Sequence, residues 1–451
     1  MKLQLSVVGL GKLGVPMLAV FAHKGFDVVG VDLDPASVAA LNAGRSPVPE
    51  PGVQALIDAN RPLVRATTDM RDAVLSSEVT FIIVPTPSGE DRFFRNDFVI
   101  ATLRSIGSVL REKQGYHNVV VTSTVMPGST GGVLREALEE ASGRKVGNEL
   151  GLCYSPEFIA LGSVVRDLLH PDMVLIGECD SKAGDMLEYI YRHTVNSNPE
   201  FQRMNWVNAE LCKIAVNTYV TTKISYANMI AEMCDHLAGA DADVVTSALG
   251  ADSRIGKKYI KGAVGYGGPC FPRDNKAFAA LGRSLGMKAD LAEATDSIND
   301  RQADRLRYAI ESSLPARSRV AILGLSYKPD TAVIDESQGI ALALRLLENG
   351  FQVVVSDPEA IPGLRSFLDE RIERAASVEE AIRGADAVAI MTPWAAYRNI
   401  PPAWFGRGEQ AKVVIDPWRV VAATSLDPSV RHIRLGKGDW MNGHEYRMAA
   451  E

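Results

Sequence analysis

Gly9-Leu10-Gly11-Lys12-Leu13-Gly14 follows a short apolar run, Leu3 to Val8, and opens a helical stretch that reaches His23. A second apolar run, Phe26 to Val31, ends at Asp32. A strand, a glycine turn, a helix and a strand, with an acid roughly 20 residues past the glycines, form a dinucleotide-binding pattern. In that pattern Gly9 permits the turn, Gly11 lets a pyrophosphate touch the backbone, and Gly14 lets helix and strand pack closely. Lys12, Leu13 and Gly14 lie where the helix N-terminus meets the negative charge. Asp32 is placed to accept hydrogen bonds from the adenosine ribose and to repel a 2′-phosphate, which favours NAD over NADP.

The alternation of strand and helix continues outward from this turn. Val79 to Val84 reads as a strand ending in Pro85-Thr86-Pro87, and Val119 to Thr122 as one ending in Ser123-Thr124. In a parallel sheet these ends face the ligand crevice, so Thr86, Ser123 and Thr124 are candidate ligand contacts; each also suits a helix cap. Leu150 to Tyr154 reads as another strand, followed by Ser155-Pro156-Glu157-Phe158, with Glu157 a candidate acid/base group or a solvated carboxylate. From Asn205 to about Leu237 the pattern is long and helical, uninterrupted by Pro or Gly. It reads as a spine between two α/β halves and as part of a dimer interface. Lys213 and Asn217, four apart, share a face of it.

Arg301 to Leu314 reads as a further helix, and Pro315 to Ser318 as a hinge. Beyond it the alternation restarts, with strands at Val320 to Leu323, Val353 to Val355, Ala387 to Met391 and Val413 to Ile415, and a helix over Ile340 to Glu348. No GxGxxG accompanies this half, which is expected to bind a nucleotide other than a second NAD. The expected fold is therefore α/β, two doubly wound Rossmann-like domains joined by a long central helix. The expected domains are residues 1–200 for NAD, 201–314 for the helical dimerisation region and 315–451 for the second nucleotide. From about Gly436 the chain carries no usable pattern and is expected to be mobile.

A second glycine-rich stretch, Gly265-Tyr266-Gly267-Gly268-Pro269-Cys270-Phe271-Pro272-Arg273-Asp274, holds one cysteine four residues before an aspartate. Its glycines permit a tight bend and close approach to a ligand, and its prolines limit motion. Pro272 suits the first turn of a helix that reads from Lys276 to Leu285. The helix dipole and the cations Arg273 and Lys276 favour a thiolate at Cys270. The stretch is either a nucleophile with an acid/base partner or a structural Cys in a turn. With a nucleophile, Lys213 and Asn217 form an oxyanion site. Arg254, Lys257, Lys258 and Lys261 form a basic cluster that suits a phosphate or a solvated face.

The bulk properties narrow the class. With 451 residues the chain has room for about three domains. Its formal charge of −7 argues against nucleic-acid binding. The five cysteines are scattered with no CxxC, so neither a disulfide framework nor a metal site is indicated, and a reducing cytoplasm fits. No apolar run reaches the ~18–20 residues of a membrane span, and the N-terminus reads as strand, turn and helix rather than a signal peptide.

Together these residues resemble the UDP-glucose/GDP-mannose dehydrogenase family over nearly the whole chain. The matching pieces are the NAD fingerprint, Val84-Pro85-Thr86-Pro87, Ser123-Thr124-Val125, Ser155-Pro156-Glu157-Phe158, Ala209-Glu210-Leu211-Cys212-Lys213 with Asn217, Arg254-Ile255-Gly256, the Cys270 loop, and Gly324 to Pro329. The resemblance implies a dimer through the long helix and oxidation of a nucleotide sugar's C6 alcohol to a carboxylate, using two NAD. It implies that Lys213 and Asn217 stabilise an oxyanion, that Cys270 forms a thiohemiacetal and then a thioester, and that water assisted by Asp274 or Glu157, with Thr124, releases the acid. Tyr259 and Lys328 are then expected at the phosphates or sugar, Phe158, Gly267 and Tyr327 at the substrate, and Arg254 at the neighbouring subunit's substrate. UDP-glucose is the first-choice substrate; UDP-N-acetylhexosamines and GDP-mannose are alternatives within the class. A two-electron hydroxyacid dehydrogenase would have no use for Cys270, and a redox-sensing NAD-binding regulator would not need Lys213, Asn217 and Asp274 together.

Two positions depart from the family pattern. Where many members read Phe-Leu-Arg-Glu-Gly, this chain reads Phe158-Ile159-Ala160-Leu161-Gly162. Where many carry Arg before Glu-Ser, Asp335 precedes Glu336-Ser337. An acid beside a phosphate is unfavourable, so Asp335 is expected to mark an altered nucleotide or phosphate pocket. Asp335→Arg should shift the relative rates of NADH formation across a panel of sugar nucleotides; unchanged relative rates would count against a substrate-facing Asp335.

Overall fold

Alternating side chains along short apolar strands give both sheets two buried faces. The computed structural model describes residues 3–360, 368–438 and 440. The chain divides into two compact units, Met1–Ala215 and Val216–Glu451. In the first unit the strands are β1 (Gln4–Val8), β2 (Asp27–Val31), β3 (Val64–Thr67), β4 (Val79–Ile82), β5 (His117–Val121), β6 (Leu150–Tyr154), β7 (Met173–Glu178) and β8 (Glu200–Met204). They form one sheet in the order β3-β2-β1-β4-β5-β6-β7-β8. The order reverses direction between β1 and β4, the switch point where open α/β sheets bind ligands. Val7, Phe81, Val120 and Cys153 enter the core on one face; their neighbours Val8, Ile82, Val121 and Tyr154 enter the core on the other.

The sheet's far edge extends beyond the sequence reading. β7 runs antiparallel to β6, and β8 pairs parallel with β7. β8 reads EFQRM, with no strand residue fully buried, so no periodicity announces it.

The second unit repeats the frame. β9 (Arg319–Leu323), β10 (Gln352–Ser356), β11 (Glu373–Arg374), β12 (Ala387–Ile390), β13 (Val413–Ile415) and β14 (Arg431–Ile433) form a parallel sheet in the order β11-β10-β9-β12-β13-β14. Gly324, directly after β9, has φ 98°, against 99° for Gly9 after β1. The Gly9 N–H donates to the Val31 carbonyl and the Gly324 N–H to the Ser356 carbonyl, each at 2.8 Å. A carboxylate closes each turn from the next strand end: Asp32 accepts the Leu10 N–H at 2.6 Å, and Asp357 the Leu325 N–H at 2.7 Å.

The helix Trp206–His236 has 31 residues and runs from the first unit into the second. Its start is fixed by Trp206, whose indole donates to the Leu152 carbonyl at 3.0 Å. Glu210, fully buried, accepts the Gly128 and Thr130 N–H groups at 2.6 and 2.7 Å. In the second unit Asp235 pairs with Arg305, both buried.

Three expectations are corrected. The helix expected over Lys276 to Leu285 spans Phe271–Ser284, starting directly after Cys270 with Pro272 in its first turn. The helix expected from Arg301 begins at Asp290 and ends at Glu311. Its buried face carries Thr295, Asn299 and Gln302, polar residues that break the apolar period. The chain from Gly436 is anchored: the Gly436 N–H donates to Asp235 at 2.6 Å and the Trp440 indole at 2.8 Å, while the Ala242 N–H donates to the Gly436 carbonyl at 2.7 Å. Residues 441–451 lie outside the described residues.

Asp357 also accepts the Ser326 N–H and hydroxyl, the Glu359 and Ala360 N–H groups, and the Trp394 indole. Removing it would leave several buried donors unpaired. Asp357→Ala should therefore destabilise the second unit by on the order of 3 kcal/mol or more. Urea unfolding of the full chain checks this, with NAD affinity as the unaffected control; a loss below ~1 kcal/mol would refute the role.

Candidate active site

The glycine turn after β1 separates what the fold needs from what a ligand needs. A Cβ on Gly9 would lie 2.1 Å from the Ile83 carbonyl oxygen, and one on Gly14 would lie 1.8 Å from that of Gly9. Both must be glycine for strand and helix to meet. A Cβ on Gly11 would touch nothing within 4 Å. The missing side chain at Gly11 serves the open space in front of the turn. The helix Gly14–His23 begins there without a side-chain cap at Leu13, which suits an anionic ligand. Lys12 is exposed beside it. Asp32 accepts the Leu10 N–H and, at 2.9 Å, the Asp34 N–H. An ionised carboxylate has about four lone-pair positions, so these two bonds orient Asp32 and leave acceptors for ribose hydroxyls. These residues fit NAD: Gly9 to Gly14 at the pyrophosphate, Asp32 at the ribose.

The Thr86 and Ser123 hydroxyls beyond β4 and β5 are bonded to neighbouring backbone. Thr86 donates to the Thr124 carbonyl at 2.7 Å. Ser123 donates to the Val84 carbonyl at 2.7 Å and accepts the Val84 N–H at 2.9 Å. They strap together the ends of β4 and β5, beside the switch point.

Beyond β6 the first unit assembles a polar group around Glu157. The Lys213 ammonium donates to the Glu157 carbonyl at 2.6 Å and lies 4.5 Å from the centroid of the Phe158 ring. The Tyr191 hydroxyl donates to Glu157 Oε1 at 2.9 Å. Burial pushes the Glu157 carboxyl up to about 7, against the opposing pull of the Tyr191 bond and the Lys213 charge. A carboxyl that titrates there can both give and take a proton near neutrality. The Leu161 departure is absorbed by packing, since Ile159 and Leu161 lie against the core of the first unit. Glu50 holds the same loop by accepting the Gly162 and Val164 N–H groups at 3.0 and 2.9 Å.

The second unit holds the cysteine. Cys270 is exposed and directly precedes the helix Phe271–Ser284. Asp274, in that helix's first turn, is 1% exposed. Asn217 Nδ2 donates to Asp274 Oδ2 at 2.6 Å, Arg273 Nε donates to Oδ1 at 3.2 Å, and the Asp274 N–H donates to the Cys270 carbonyl at 2.8 Å. Asn217 thus orients Asp274.

The loop's glycines also let two loops of the second unit meet. A Cβ on Gly267 would meet the Glu336 carbonyl at 2.4 Å, and one on Gly268 would meet the Tyr327 ring at 2.6 Å. The Gly268 N–H donates to the Asp335 carbonyl at 2.8 Å. The glycines bring this loop against the 324–337 loop of the same unit, which carries Tyr327, Lys328 and Asp335. Asn299 pairs with the N–H and carbonyl of Tyr266 at 2.6 and 3.0 Å. Asn228 takes the Ala263 N–H and donates to the Val264 carbonyl, both at 2.9 Å.

Tyr259 adopts a left-handed φ of 61° and stands edge-on to Phe271 at 6.2 Å. A non-glycine residue held at positive φ is a local strain of the kind that collects at functional sites. Arg254 is exposed and pairs with Asp252 at 2.6 Å.

The structure therefore brings together Glu157, Phe158 and Lys213 in the first unit. In the second it brings together Cys270, Asp274 and Asn217, with Gly267 against the loop of Tyr327. It leaves Arg254 at the surface of the second unit. Tyr191, Asn228 and Asn299 escaped the sequence reading. Their only signal is a polar residue on the buried side of a helix, a common and nonspecific feature.

A glycine turn closed by an acid at the switch point of the first sheet, with open space before Gly11 and a helix starting at Gly14, defines a dinucleotide-binding α/β protein. The chain belongs to the UDP-glucose/GDP-mannose dehydrogenase family: residues 3–195 match its NAD binding domain, 207–301 its central domain and 321–423 its UDP binding domain. It is 36% identical over 423 residues to the UDP-glucose 6-dehydrogenase AglM of Haloferax volcanii, covering 93% of this chain and 97% of that protein. It is 31% identical to a GDP-mannose 6-dehydrogenase of Pseudomonas putida, covering 86% of this chain and 90% of that one. Its fold superposes on a UDP-glucose dehydrogenase of Pyrobaculum islandicum with TM-score 0.86 at 32% identity, covering 97% and 98% of the two chains.

If Gly11 is kept small for the ligand, Gly11→Ala should leave the unfolding midpoint unchanged while weakening NAD about tenfold or more, ~1.4 kcal/mol. Calorimetric titration and thermal unfolding measure the two effects. A variant that binds NAD normally would show that the space before the turn is not the pyrophosphate site.

Proposed function

We propose that this protein oxidises the C6 alcohol of a UDP-sugar to the carboxylate in two successive two-electron steps, with UDP-glucose as substrate and UDP-glucuronate as product. The observation that carries this reading is Cys270, exposed at the start of a helix whose first turn holds the buried Asp274–Asn217 couple, in a chain that matches the family from residue 3 to 423. The match of residues 321–423 to a UDP binding domain, and the Haloferax and Pyrobaculum relatives, favour UDP over GDP. The domain roles assigned are 1–200 for NAD, 201–314 for the central helical region and 315–451 for the nucleotide sugar. The three family segments support that division.

Each residue's role follows from its chemistry. Gly9 to Gly14, Asp32, Thr86, Ser123 and Thr124 hold NAD, which accepts a hydride at each oxidation when bound. Lys213 offers a positive charge to the developing C6 oxyanion, assisted by Asn217. The Cys270 thiolate adds to the C6 aldehyde to give a thiohemiacetal, whose oxidation leaves a thioester. Water then cleaves the thioester, releasing the carboxylate and freeing the thiol. Glu157, poised near neutrality, or Asp274, held by Asn217, takes the proton from that water, with Thr124 helping to hold it. Phe158, Arg254, Tyr259, Gly267, Tyr327 and Lys328 bind the nucleotide sugar.

We further propose a homodimer through the central helix. Tyr219, Tyr226 and Met233, seven apart, lie exposed along that helix, with Leu211 and Leu237 also exposed. Such a spacing sets one apolar stripe along one face, suited to a second copy of the same helix. Arg254, exposed, is the residue proposed to reach the partner's substrate. Among the described residues no helix is long and apolar enough to cross a membrane. All five cysteines are free, which supports assignment to the cytoplasm.

Cys270→Ala should bind NAD and UDP-glucose nearly normally yet lose acid formation by several powers of ten. Cys270→Ser should accumulate an ester, because an alkoxide leaves more slowly than a thiolate. Single-turnover mass spectrometry with NADH counting tests both. Acid made by Cys270→Ala at a near wild-type rate, with two NADH per sugar, would remove the covalent mechanism.

A further inference from the structure

Glu157 ends a buried chain of hydroxyls. Tyr191 Oη lies 2.9 Å from Glu157 Oε1, Ser155 Oγ lies 3.2 Å from Tyr191 Oη, and Ser155 Oγ lies 2.9 Å from the Leu175 carbonyl. Ser155 and Tyr191 are buried. The far end is a carbonyl, which can only accept, so three links need three hydrogens. A neutral Glu157 supplies the third: Glu157 donates to Tyr191, Tyr191 to Ser155, and Ser155 to Leu175. An ionised Glu157 leaves two. Tyr191 then donates to the carboxylate and Ser155 to Leu175, and only the longest link, Tyr191 to Ser155, goes unfilled. Loss of the Glu157 proton together with rotation of the phenolic hydrogen converts the first arrangement into the second.

We infer that Tyr191 is a positioning residue that holds Glu157 in one orientation in both protonation states, and so sets the pH at which Glu157 exchanges its proton during acid release. The inference rests on the role proposed above for Glu157. Around Glu157 stand Tyr191 from the helix Ser181–Thr194, Lys213 from the central helix, and Ser155 just beyond β6, with the Cys153 thiol in β6 near Tyr191. Burial, then the Glu157 charge, pushes the Tyr191 phenol well above its ordinary value, so it stays protonated throughout the working range.

The hydrogen count makes two variants move in opposite directions. Tyr191→Phe removes the donor that favours the carboxylate, so the Glu157 midpoint should rise. Ser155→Ala removes the acceptor that Tyr191 needs only when Glu157 is neutral, so the midpoint should fall. Each shift should be about 0.5 unit or more. Infrared difference spectra between about pH 5 and 9 read the protonated carboxyl stretch without turnover. The band is assigned by its absence in Glu157→Gln. The acid limb of kcat for UDP-glucuronate formation should follow the same midpoints, whereas a purely structural role would change only stability. Midpoints that stay put, or that move the same way in both variants, would overturn the inference. Unshifted midpoints in an active enzyme would overturn it alone. Opposite shifts in a protein that oxidises no sugar nucleotide would support the hold on Glu157 and overturn the proposed function.

Discussion

Each half of the chain depends on a carboxylate that closes a glycine turn. The turn after the first strand of either sheet needs a left-handed glycine, and it needs an acceptor for the N–H that this conformation turns outward. Asp32 and Asp357 supply that acceptor from the end of the neighbouring strand. The turn thereby fixes the angle at which the chain leaves the sheet and so which side chains reach the switch point.

The two halves diverge at what happens next. After Gly9 the helix begins within five residues, Gly11 faces open space and Asp32 keeps part of its carboxylate exposed. After Gly324 a longer loop intervenes before the helix Gln338–Glu348, and Asp357 is 6% exposed with every bond turned inward. Gly339 still packs against Gly324, where a Cβ would meet its carbonyl at 2.3 Å, so the helix–strand contact survives although the dinucleotide cradle does not. The first frame is kept open for a cofactor. The second is filled, and its inserted loop instead meets the glycines before Cys270.

The groups proposed for the chemistry are held by pairing. Lys213 is held by a carbonyl and an aromatic face, Asp274 by Asn217, and Glu157 by Tyr191. Burying such groups is unfavourable in itself, and each bond offsets part of that cost while fixing an orientation. Burial also places the Glu157 carboxyl near neutrality, where a group in water would already be ionised. The same enclosure that is unfavourable for stability suits the group to the proton transfer proposed for it.

Much of this was legible in the chain itself. The Gly9–Gly14 turn, the strands Leu150–Tyr154 and Val413–Ile415, the long helix and the Cys270 loop are local patterns, set by backbone conformation and by side-chain period, and neighbouring residues suffice to read them. The start of the helix at Asp290, the strand Glu200–Met204 and the anchoring of Gly436 were not, because polar residues at their contacts hide the period. Nor were the partners of the site residues. That Asn217 meets Asp274, that Tyr191 meets Glu157, and that Gly267 and Gly268 are small for a neighbouring loop are facts about residues 34 to 69 positions apart. Local sequence determines which conformations a segment can adopt. Only the packed tertiary structure decides which distant polar group each buried donor or acceptor must find, because burial removes water as the alternative partner.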